Sequence, residues 1–436
     1  MSVCASIFML VLFFAELWAF LSATTTSSVV LDPNQERFVR INFNITVFDI
    51  PCEFAMLDVV DILGTRNDNV TKNINKWNVD SKGARMGYDG RNREQKEIEH
   101  DTHHDNEALH ANGVHALELE ESRFPNWIQE HEFTFVNFYA PWCIWCQRLE
   151  PVWEAFAEEA QNIPEIQDIS IVKVDCVASR NLCMEQRVQA FPTLRMFKGK
   201  DVQPPDYRND RTVEALVDYL KTKMSIENHI ATLPDHAQKA HRDMHAVEEH
   251  PGCLMAGFLL VNRVPGNFHI EARSSYHNLN PVMANLSHRV NALSFGPIMS
   301  QKAKNMLTSI PKEYFSLESV SPIDNRVYVN SNLHTAYHHY LKVVSTHFGQ
   351  GYDFGSSSLL AYQMVESSQI MNYEIEDIPE ARFSYDLSPM AVVINRKGRR
   401  WYEFVTSVCA LIGGTFTVVG LLSSFLGVVF KAGKKM

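Results

Sequence analysis

The sequence predicts an α/β unit inserted into a β-rich body, with an apolar helix at each end of the chain. Three observations support this prediction. Both ends of the 436-residue chain carry long apolar stretches with at most one charged residue. Residues 36–63 and 253–345 contain runs that alternate between apolar and polar side chains, as strands do. Between these runs, short apolar strands alternate with patterns of helical period.

The N-terminal stretch, residues 3–23, is apolar except for Glu16. One interpretation is a cleaved signal peptide that ends near Ala23. However, no Lys or Arg precedes the apolar run, whereas signal peptides begin with a positively charged region. Glu16 lies off centre, where a carboxylate reaches the membrane surface more easily than from the midplane. We therefore expect a first membrane anchor.

The C-terminal stretch, residues 404–430, contains no charged residue. About 20 apolar residues suffice to cross a bilayer as a helix, so we expect a second membrane span and a lipid bilayer as partner. Gly413, Gly420 and Gly427 recur every seven residues in it. Small residues let membrane helices approach closely. This glycine stripe is a candidate contact with the first span or with a partner helix.

Two spans would leave residues 24–403 on one side of the membrane. Three glycosylation sequons favour the lumen of the secretory pathway, at Asn44, Asn69 and Asn285. Six cysteines lie between the spans, an even number that suits an oxidising compartment. The charges favour the opposite orientation, because four basic residues precede the last span at 396–400 and three follow it at 431–435.

Composition excludes some functions. The formal net charge of −11 argues against a nucleic-acid partner, because a phosphate-binding surface needs a basic field. Residues 81–113 are polar and contain several histidines, and we expect them to form a linker. These histidines lack the regular spacing and paired cysteines of structural zinc sites, so we expect no metal. His339 and the histidines near it look like strand and surface residues.

A strand and a helix flank a Cys-x-x-Cys motif in the central α/β segment. Residues 133–139 are aromatic and β-branched, as buried strands are. Pro141 and Trp142 then lead into a helix. Its apolar side chains recur at steps of three and four: Cys146, Leu149, Trp153, Phe156 and Ala160.

Cys143 is predicted to be the nucleophile of a redox-active pair. It occupies the start of the helix, where unpaired amides and the helix dipole stabilise a thiolate. Cys146 lies one turn deeper on the same face, close enough to resolve a mixed disulfide formed at Cys143. The alternative is half of a structural zinc site, which would need a second closely spaced pair. Cys176 and Cys183 do not supply one, because six residues separate them.

The residues that follow complete a pattern that resembles the thioredoxin-like domain of protein disulfide isomerases. The segments FYAPWCxxC, VDC and FPTLRMFKG occur in that order, and the resemblance covers residues 114–223. It implies a thioredoxin-like fold that exchanges disulfides without a cofactor. It also implies that Pro192 is a cis-proline facing the cysteine pair. Trp142, Phe191 and Pro192 would then shape a groove for the protein that is acted on, the client.

Two positions depart from the isomerase pattern. Asn137 stands where these enzymes have a buried glutamate that takes the proton from the second cysteine, and an amide cannot do so. Ile144 and Trp145 replace the Gly and His between the cysteines, so the motif offers no imidazolium beside Cys143. We expect mixed disulfides to be resolved slowly.

The flanks resemble the lumenal domain of receptors that carry cargo from the endoplasmic reticulum to the Golgi. The resemblance rests on Cys52-Glu53-Phe54-Ala55, on residues 264–269 and 385–389, and on the final span. It implies a β-sandwich-like domain split into residues 24–80 and 245–403. The order of the parts resembles the membrane-anchored protein disulfide isomerases described mainly from plants. That family implies residence in the endoplasmic reticulum membrane and cycling to the Golgi.

Four further cysteines lie in the body. Cys176 and Cys183 form either a short structural disulfide or a pair of buried thiols. Cys52 and Cys253 are then left, by elimination, as a candidate bridge across the split domain.

Two functions of different classes fit the sequence. In the first, Cys143 and Cys146 form, reduce or rearrange disulfides in secretory proteins that contain thiols or disulfides. In the second, the receptor-like domain carries cargo and the thioredoxin-like unit serves as a client clamp. We favour the enzyme, because both cysteines are present at the strand-to-helix turn that this chemistry requires.

Overall fold

The structure is a computed structural model of the whole chain. It describes residues 2–22, 24–34, 36–61, 64, 72–80, 82–92, 94–100, 116–234, 236, 252–349, 359–374 and 376–433. Side chains are described only between residues 7 and 425 of these ranges.

Two six-stranded sheets form the β-rich body. The first has the order β18-β17-β19-β13-β3, with β1 also paired to β19, and the second has the order β16-β15-β2-β12-β4-β5. The strands before the inserted unit are β1 (Thr24–Leu31), β2 (Phe38–Val47), β3 (Ala55–Asp61), β4 (Ile74–Val79) and β5 (Arg85–Arg91). Those after it are β12 (Gly252–Asn262), β13 (Gly266–Ala272), β15 (His288–Phe295), β16 (Arg326–Tyr328), β17 (Thr335–Phe348), β18 (Leu360–Asn372) and β19 (Glu380–Lys397).

Alternating apolar side chains hold these sheets together as a sandwich. Every second residue of β2 from Val39 to Val47 is buried, as a strand with one core-facing side requires. Across the sandwich, Phe43 of the second sheet contacts Phe268 of the first at a ring separation of 6.1 Å. Phe268 in turn stacks on Phe383 of β19 at 4.8 Å. Burial of aromatic side chains of this size contributes about 1.5–3 kcal/mol each, so this layer is a main source of the sandwich's stability.

The inserted unit is a five-stranded mixed sheet with helices on both faces, in the strand order β11-β10-β7-β8-β6. The strands of this sheet are β6 (Leu117–Glu118), β7 (Phe133–Tyr139), β8 (Ser170–Asp175), β10 (Thr193–Lys198) and β11 (Asp201–Tyr207). The short strand β9 (Ala190–Phe191) belongs to the unit but not to this sheet. Its helices are α2 (Phe124–Glu130), α3 (Ile144–Gln161), α4 (Arg180–Glu185) and α5 (Val213–Ala231). The parallel pair of β7 and β8 and the antiparallel β10 and β11 give the predicted thioredoxin-like α/β fold.

One short strand of the sandwich pairs with the inserted unit. This strand, β14 (Asn278–Leu279), runs antiparallel to β9, with Asn278 opposite Phe191 and Leu279 opposite Ala190. Ala190 and Leu279 are both buried and belong to the sandwich core. The inserted unit is therefore joined to the body by a sheet contact as well as by its two chain crossings.

A helix lies at each end of the chain. The last, α7 (Trp401–Gly433), is preceded in the sandwich by the short helix α6 (Gln301–Leu307). Within the described residues, Trp401–Phe425 is the one stretch long and apolar enough to cross a membrane. The first helix, α1 (Ser2–Leu21), contains a shorter apolar stretch, Ile7–Leu21.

The two terminal helices pack against each other at their body-proximal ends. Phe20 and Phe404 have ring centroids 4.7 Å apart, and Glu16 Oε1 lies 2.8 Å from an Arg399 guanidinium nitrogen. A Cβ added to Gly413 or Gly420 would meet no atom within 4 Å. The predicted contact with the first span is therefore wrong at these two positions, because α1 packs against another face of α7 that includes Leu411 and Thr415. The alternative contact of the stripe with a partner helix stays a prediction. The surroundings of Gly427 lie outside the described side chains.

The predicted linker at 81–113 contains a strand. Residues 85–91 form β5 and pair with β4 at the sheet edge. Six of the seven residues of β5 are exposed. The sequence therefore lacks the alternation of apolar and polar residues that indicates a half-buried strand, and its polar composition predicted a linker instead. Residues 101–115 lie outside the described part of the chain.

Candidate redox site

The strand β7 and the helix α3 position the cysteine pair. Six of the seven residues of β7 are buried, so the strand fixes the turn that follows it. Cys143 is the N-cap residue of α3, and its backbone is extended. Leu149, Trp153 and Phe156 anchor the helix in the core of the unit, each at most 1% exposed. The turn therefore holds Cys143 at the positive end of the helix dipole, as the sequence indicated.

Cys143 and Cys146 are joined by a disulfide, with Cα atoms 5.2 Å apart. The Cys143 Sγ accepts a hydrogen bond from the Cys146 backbone N–H at 3.1 Å. The same donor would remain available to a Cys143 thiolate after reduction, and hydrogen bonds to a charged group favour its charged form. The helix start and this N–H are surroundings that favour a thiolate at Cys143 over one at Cys146.

The three predicted groove residues lie around Cys143. The peptide bond between Phe191 and Pro192 is cis, and the Phe191 carbonyl oxygen is 3.5 Å from Cys143 Sγ. The ring of Trp142, which is 53% exposed, meets the Phe191 ring edge-on at 5.8 Å. Together they form an aromatic wall beside the backbone of β9, which ends at Phe191.

Cys143 is fully buried, and Cys146 is only 4% exposed. Side chains from outside the inserted unit contribute to this cover. The His100 ring lies tilted against the Trp145 ring at 5.0 Å, and the Tyr276 ring lies 5.8 Å from Trp145. Sequence patterns could not predict this burial, because both contacts are distant along the chain.

His100 is not a substitute for the histidine missing from the motif. Burial lowers the pKa of His100 below its ordinary value, and the nearby Arg211 lowers it further. Arg211 is itself buried and directs a guanidinium N–H toward His100 Nε2 at 3.2 Å. A neutral imidazole supplies no positive charge to a thiolate. Stabilisation of a Cys143 thiolate is left to the helix start.

Asn137 lies on β7 and is 4% exposed. Its Oδ1 has no hydrogen-bond partner among the residues that the structure describes. Its register partner on β8 is Lys173, whose ammonium group binds the buried Glu154 at 2.8 Å. Among the described residues, the carboxylate at hydrogen-bond distance from Lys173 is that of Glu154 on α3, and β7 has an amide, Asn137, in place of an acid.

The remaining body cysteines are bonded as well. Cys52 and Cys253, both fully buried, form a disulfide that spans 201 residues and ties the two halves of the sandwich. Cys176 follows β8 and is bonded to Cys183 of α4. Among the described side chains, Cys409 in the last helix is the one free thiol.

Two of the three sequon asparagines have described surroundings. Asn44 is half-buried on β2, and its Oδ1 accepts a hydrogen bond from Asn291 at 3.1 Å. Asn285 accepts bonds from both the N–H and the hydroxyl of Ser287. The amide oxygens of both asparagines are therefore hydrogen-bonded within the fold. Asn69 lies outside the described residues.

Two polar clusters of the sandwich were not predicted from the sequence. His288 and His339 are fully buried, with Nε2 atoms 3.0 Å apart, so the surface position expected for His339 is wrong. Burial lowers the pKa of His288 to about 4, which keeps it neutral at physiological pH. The second cluster, Asp58, His269 and Glu271, has the ligand types of a metal site.

The Asp58 cluster already has a cation beside it. The Arg273 guanidinium lies 3.5 Å from Asp58 and 3.8 Å from Glu271. One positive charge therefore lies beside two carboxylates. These residues come from two separate strands, β3 and β13, so the sequence shows no motif that unites them.

Three family models match the chain. The model described as Thioredoxin matches residues 115–222. The model described as Endoplasmic reticulum vesicle transporter matches residues 217–423. The model described as Endoplasmic Reticulum-Golgi Intermediate Compartment matches residues 1–68.

Three curated relatives match over nearly the full length of the chain. Protein disulfide-isomerase 5-4 of Arabidopsis thaliana is 34% identical over 98% of this chain and 91% of its own length. Protein disulfide isomerase-like 5-4 of Oryza sativa subsp. japonica is 32% identical over 100% of this chain and 93% of its own. Protein disulfide-isomerase 5-3 of Arabidopsis thaliana is 30% identical, with coverages of 100% and 93%.

Proposed function

The chain belongs to the family of membrane protein disulfide isomerases that combine a thioredoxin domain with an ER–Golgi intermediate compartment domain, and we propose that Cys143 and Cys146 perform its chemistry. It is a thiol–disulfide oxidoreductase of the secretory pathway, held at endoplasmic reticulum or Golgi membranes with its body in the lumen. Its clients are proteins that contain thiols. We propose that they are secretory proteins, which reach the pair through the groove beside Phe191.

In the reducing direction, the Cys143 thiolate attacks one sulfur of a client disulfide. A bond forms between Cys143 and that sulfur, and the client's other sulfur leaves as a thiolate that takes up a proton. Cys146 then loses its proton and attacks Cys143 Sγ, which releases the second client thiol. The client gains two electrons and two protons, and the enzyme pair becomes a disulfide. In the oxidising direction, a client thiolate attacks the enzyme disulfide and the same bonds change in reverse.

One observation supports Cys143 as the nucleophile. Its Sγ occupies the N-cap of α3 and accepts the Cys146 N–H at 3.1 Å. A thiolate at this position gains from the helix dipole and from the hydrogen bond. Cys146 has no such position, because it lies within the first turn of the helix with its own N–H directed at Cys143.

A trapping experiment tests these roles. The full-length Cys146→Ala variant should accumulate mixed disulfides through Cys143, because the resolving thiol is absent. Cys143→Ser should form none and should lose insulin-reductase activity by on the order of 10³-fold or more. Cys409→Ser is the matched control, since it removes the free thiol of the last helix and should leave activity unchanged.

Retention of reductase activity by the Cys143→Ser variant would contradict the assignment. So would capture of clients through Cys146 alone. The insulin-reductase assay measures the first outcome, and mass spectrometry of the cross-linked peptides identifies the second.

Client holding by the sandwich is a second candidate function. The first sheet carries an open groove of about 1020 Å³ on its outer side, lined by His269, Tyr340, Glu380 and Arg382 among others. A surface of this size and mixed polarity supports contact with a client. In this reading the redox pair fixes the client covalently while the sandwich binds it. Binding of a reduced, alkylated client, which cannot form a disulfide, would separate this activity from the first.

A further inference from the structure

The backbone edge beside the redox pair is occupied by the chain itself. β9 ends at Phe191, whose carbonyl oxygen is 3.5 Å from Cys143 Sγ. Any extended backbone segment that pairs with Phe191 must therefore lie close to Cys143. In this structure the paired residue is Asn278 of the sandwich, in an antiparallel register. An extended client peptide would need the same edge.

Further contacts hold this segment over the site. The Asn280 N–H donates to the Gln189 carbonyl at 2.8 Å, and its side-chain amide donates to the Val188 carbonyl at 3.1 Å. At the other end of the segment, a guanidinium N–H of Arg211 donates to the Tyr276 carbonyl at 2.9 Å. Residues 276–280 thus form a strap whose two ends are both bound to the inserted unit.

The strap also reaches the centre of the motif. The Tyr276 ring contacts Trp145, which stands between the two cysteines. Thiol–disulfide exchange requires the attacking sulfur to reach the sulfur that it attacks. Cys143 is fully buried, and the strap is paired with Phe191, whose carbonyl oxygen lies 3.5 Å from Cys143 Sγ.

We infer that the strap, residues 276–280, is an intramolecular cover that occupies the client groove and must be displaced before Cys143 can exchange. The inference rests on the proposed function of Cys143. It makes the sandwich a regulator of the redox unit: a client, or a partner that binds the sandwich, exposes the disulfide by drawing the strap away from β9.

The strap has few contacts to lose. Its sheet pairing with β9 is only two residues long, and short, edge-on pairings of this kind are among the weaker parts of a fold. Leu279, by contrast, is 8% exposed and belongs to the sandwich core. Ala190 of β9 belongs to the same core, so displacement of the strap also separates Leu279 from Ala190.

The test compares Cys143 reactivity with and without the strap contacts. In a reduced full-length Cys146→Ser background, Tyr276→Ala combined with Asn280→Ala removes the Trp145 ring contact and the bond to Val188. Alkylation of Cys143 by iodoacetamide and its mixed-disulfide formation with insulin should both accelerate by about thirtyfold, which corresponds to about 2 kcal/mol for the two lost contacts.

The matched control combines Tyr88→Ala with Asn305→Ala, two exposed residues of the sandwich, and should change neither rate. If the strap variant and its parent react equally fast and both trap insulin, the cover is overturned while the proposed function stands. If neither protein traps insulin although iodoacetamide reacts, the proposed function itself fails. Site-specific mass spectrometry distinguishes Cys143 from Cys409.

A second measurement needs no change in the strap. Hydrogen exchange of the Asn280 amide should be faster in the Cys146→Ser protein cross-linked to insulin than in the free protein, because the bond to Gln189 is broken. The Met255 amide, on a strand flanked by two others in the sandwich, should exchange at the same rate in both. An unchanged rate at Asn280 would show that clients bind without moving the strap, and would overturn the inference.

Discussion

Two disulfides of this protein differ in what surrounds them, although accessibility alone does not distinguish them. Cys143 of the redox pair and both cysteines of the sandwich bridge, Cys52 and Cys253, are 0% exposed. The redox pair closes a loop of three residues at a helix start, whereas the sandwich bridge joins residues 201 apart. The first lies beneath a short strap, and the second lies within the apolar core between two sheets.

The difference teaches that the function of a buried disulfide depends on what would have to move to expose it. The sandwich bridge becomes accessible only when core strands separate, which is close to unfolding. The redox pair needs a local opening of two paired residues, and such openings require less free energy than global unfolding. A helix dipole then favours the thiolate at Cys143, whereas no helix begins at Cys52 or Cys253.

Removing the sandwich bridge should have the largest effect on stability. In the chain-entropy model, a disulfide that closes a loop of this length contributes about 5 kcal/mol to the free energy of unfolding. The contribution decreases by the chain entropy that folding of the inserted unit has already removed from the loop. The full-length double variant Cys52→Ala, Cys253→Ala should therefore lose roughly 4–5 kcal/mol of unfolding free energy. Urea unfolding in detergent, followed by circular dichroism of the β-rich body, measures this loss.

The Cys176–Cys183 bridge is the control for loop length. It joins residues seven apart, and the same model gives it about 2–3 kcal/mol. A loss of equal size from both double variants would show that loop entropy does not account for the sandwich bridge. Insulin reduction should persist in both variants wherever they remain folded.

The sequence predicted the redox unit better than its surroundings. The strand β7, the helix start at Cys143 and the helix face through Phe156 depend on local periodicity, which one sequence displays. The strap contact depends on a pairing between Phe191 and Asn278, residues with no shared motif. The same applies to the pairing of His288 with His339. Long-range contacts of this kind leave no pattern in a single chain.

Asn137→Glu should have the next largest effect, confined to the redox unit. A glutamate on β7 restores the proton acceptor that isomerases use, and general acid–base groups contribute about 10²–10⁴-fold. Because water replaces part of this contribution, we expect Cys146 to resolve mixed disulfides about 10–100-fold faster at pH 7. Quenched-flow trapping of the insulin mixed disulfide measures the rate.

Asn137→Gln is the matched control, because it has the same length as glutamate and no exchangeable acid proton. Its resolution rate should equal that of the parent. The glutamate variant also buries a carboxyl group, so its folding must be checked by urea unfolding. Equal rates in folded glutamate and glutamine variants would mean that proton transfer does not limit resolution.

An ion pair joins the sandwich to the redox unit. A change at this pair should have the smallest of the effects predicted for the two regions. Glu53, next to the bridge cysteine Cys52, binds Arg208 of the inserted unit at 2.8 Å. Burial raises the pKa of the Glu53 carboxyl from 4.5 to about 7, Arg208 opposes the rise, and Asp206 adds to it. This carboxyl titrates at the contact between the two units, within the pH range of biological compartments.

The direction in which pH changes the stability follows from the difference in proton binding by Glu53 between the folded and the unfolded chain. In the unfolded chain Glu53 titrates near 4.5, so between pH 4.5 and about 7 the folded chain holds a proton that the unfolded chain has lost. The stabilisation of the fold by this bound proton is complete below pH 4.5 and is lost as the pH rises through about 7. Glu53→Gln cannot titrate, so the stability of the parent relative to this variant should fall by about 1–2 kcal/mol from pH 4.5 to 8. Urea unfolding of both proteins across this range measures the difference. Parallel stability curves would show that Glu53 titrates alike in the folded and unfolded chains, and that its contact with Arg208 does not depend on pH.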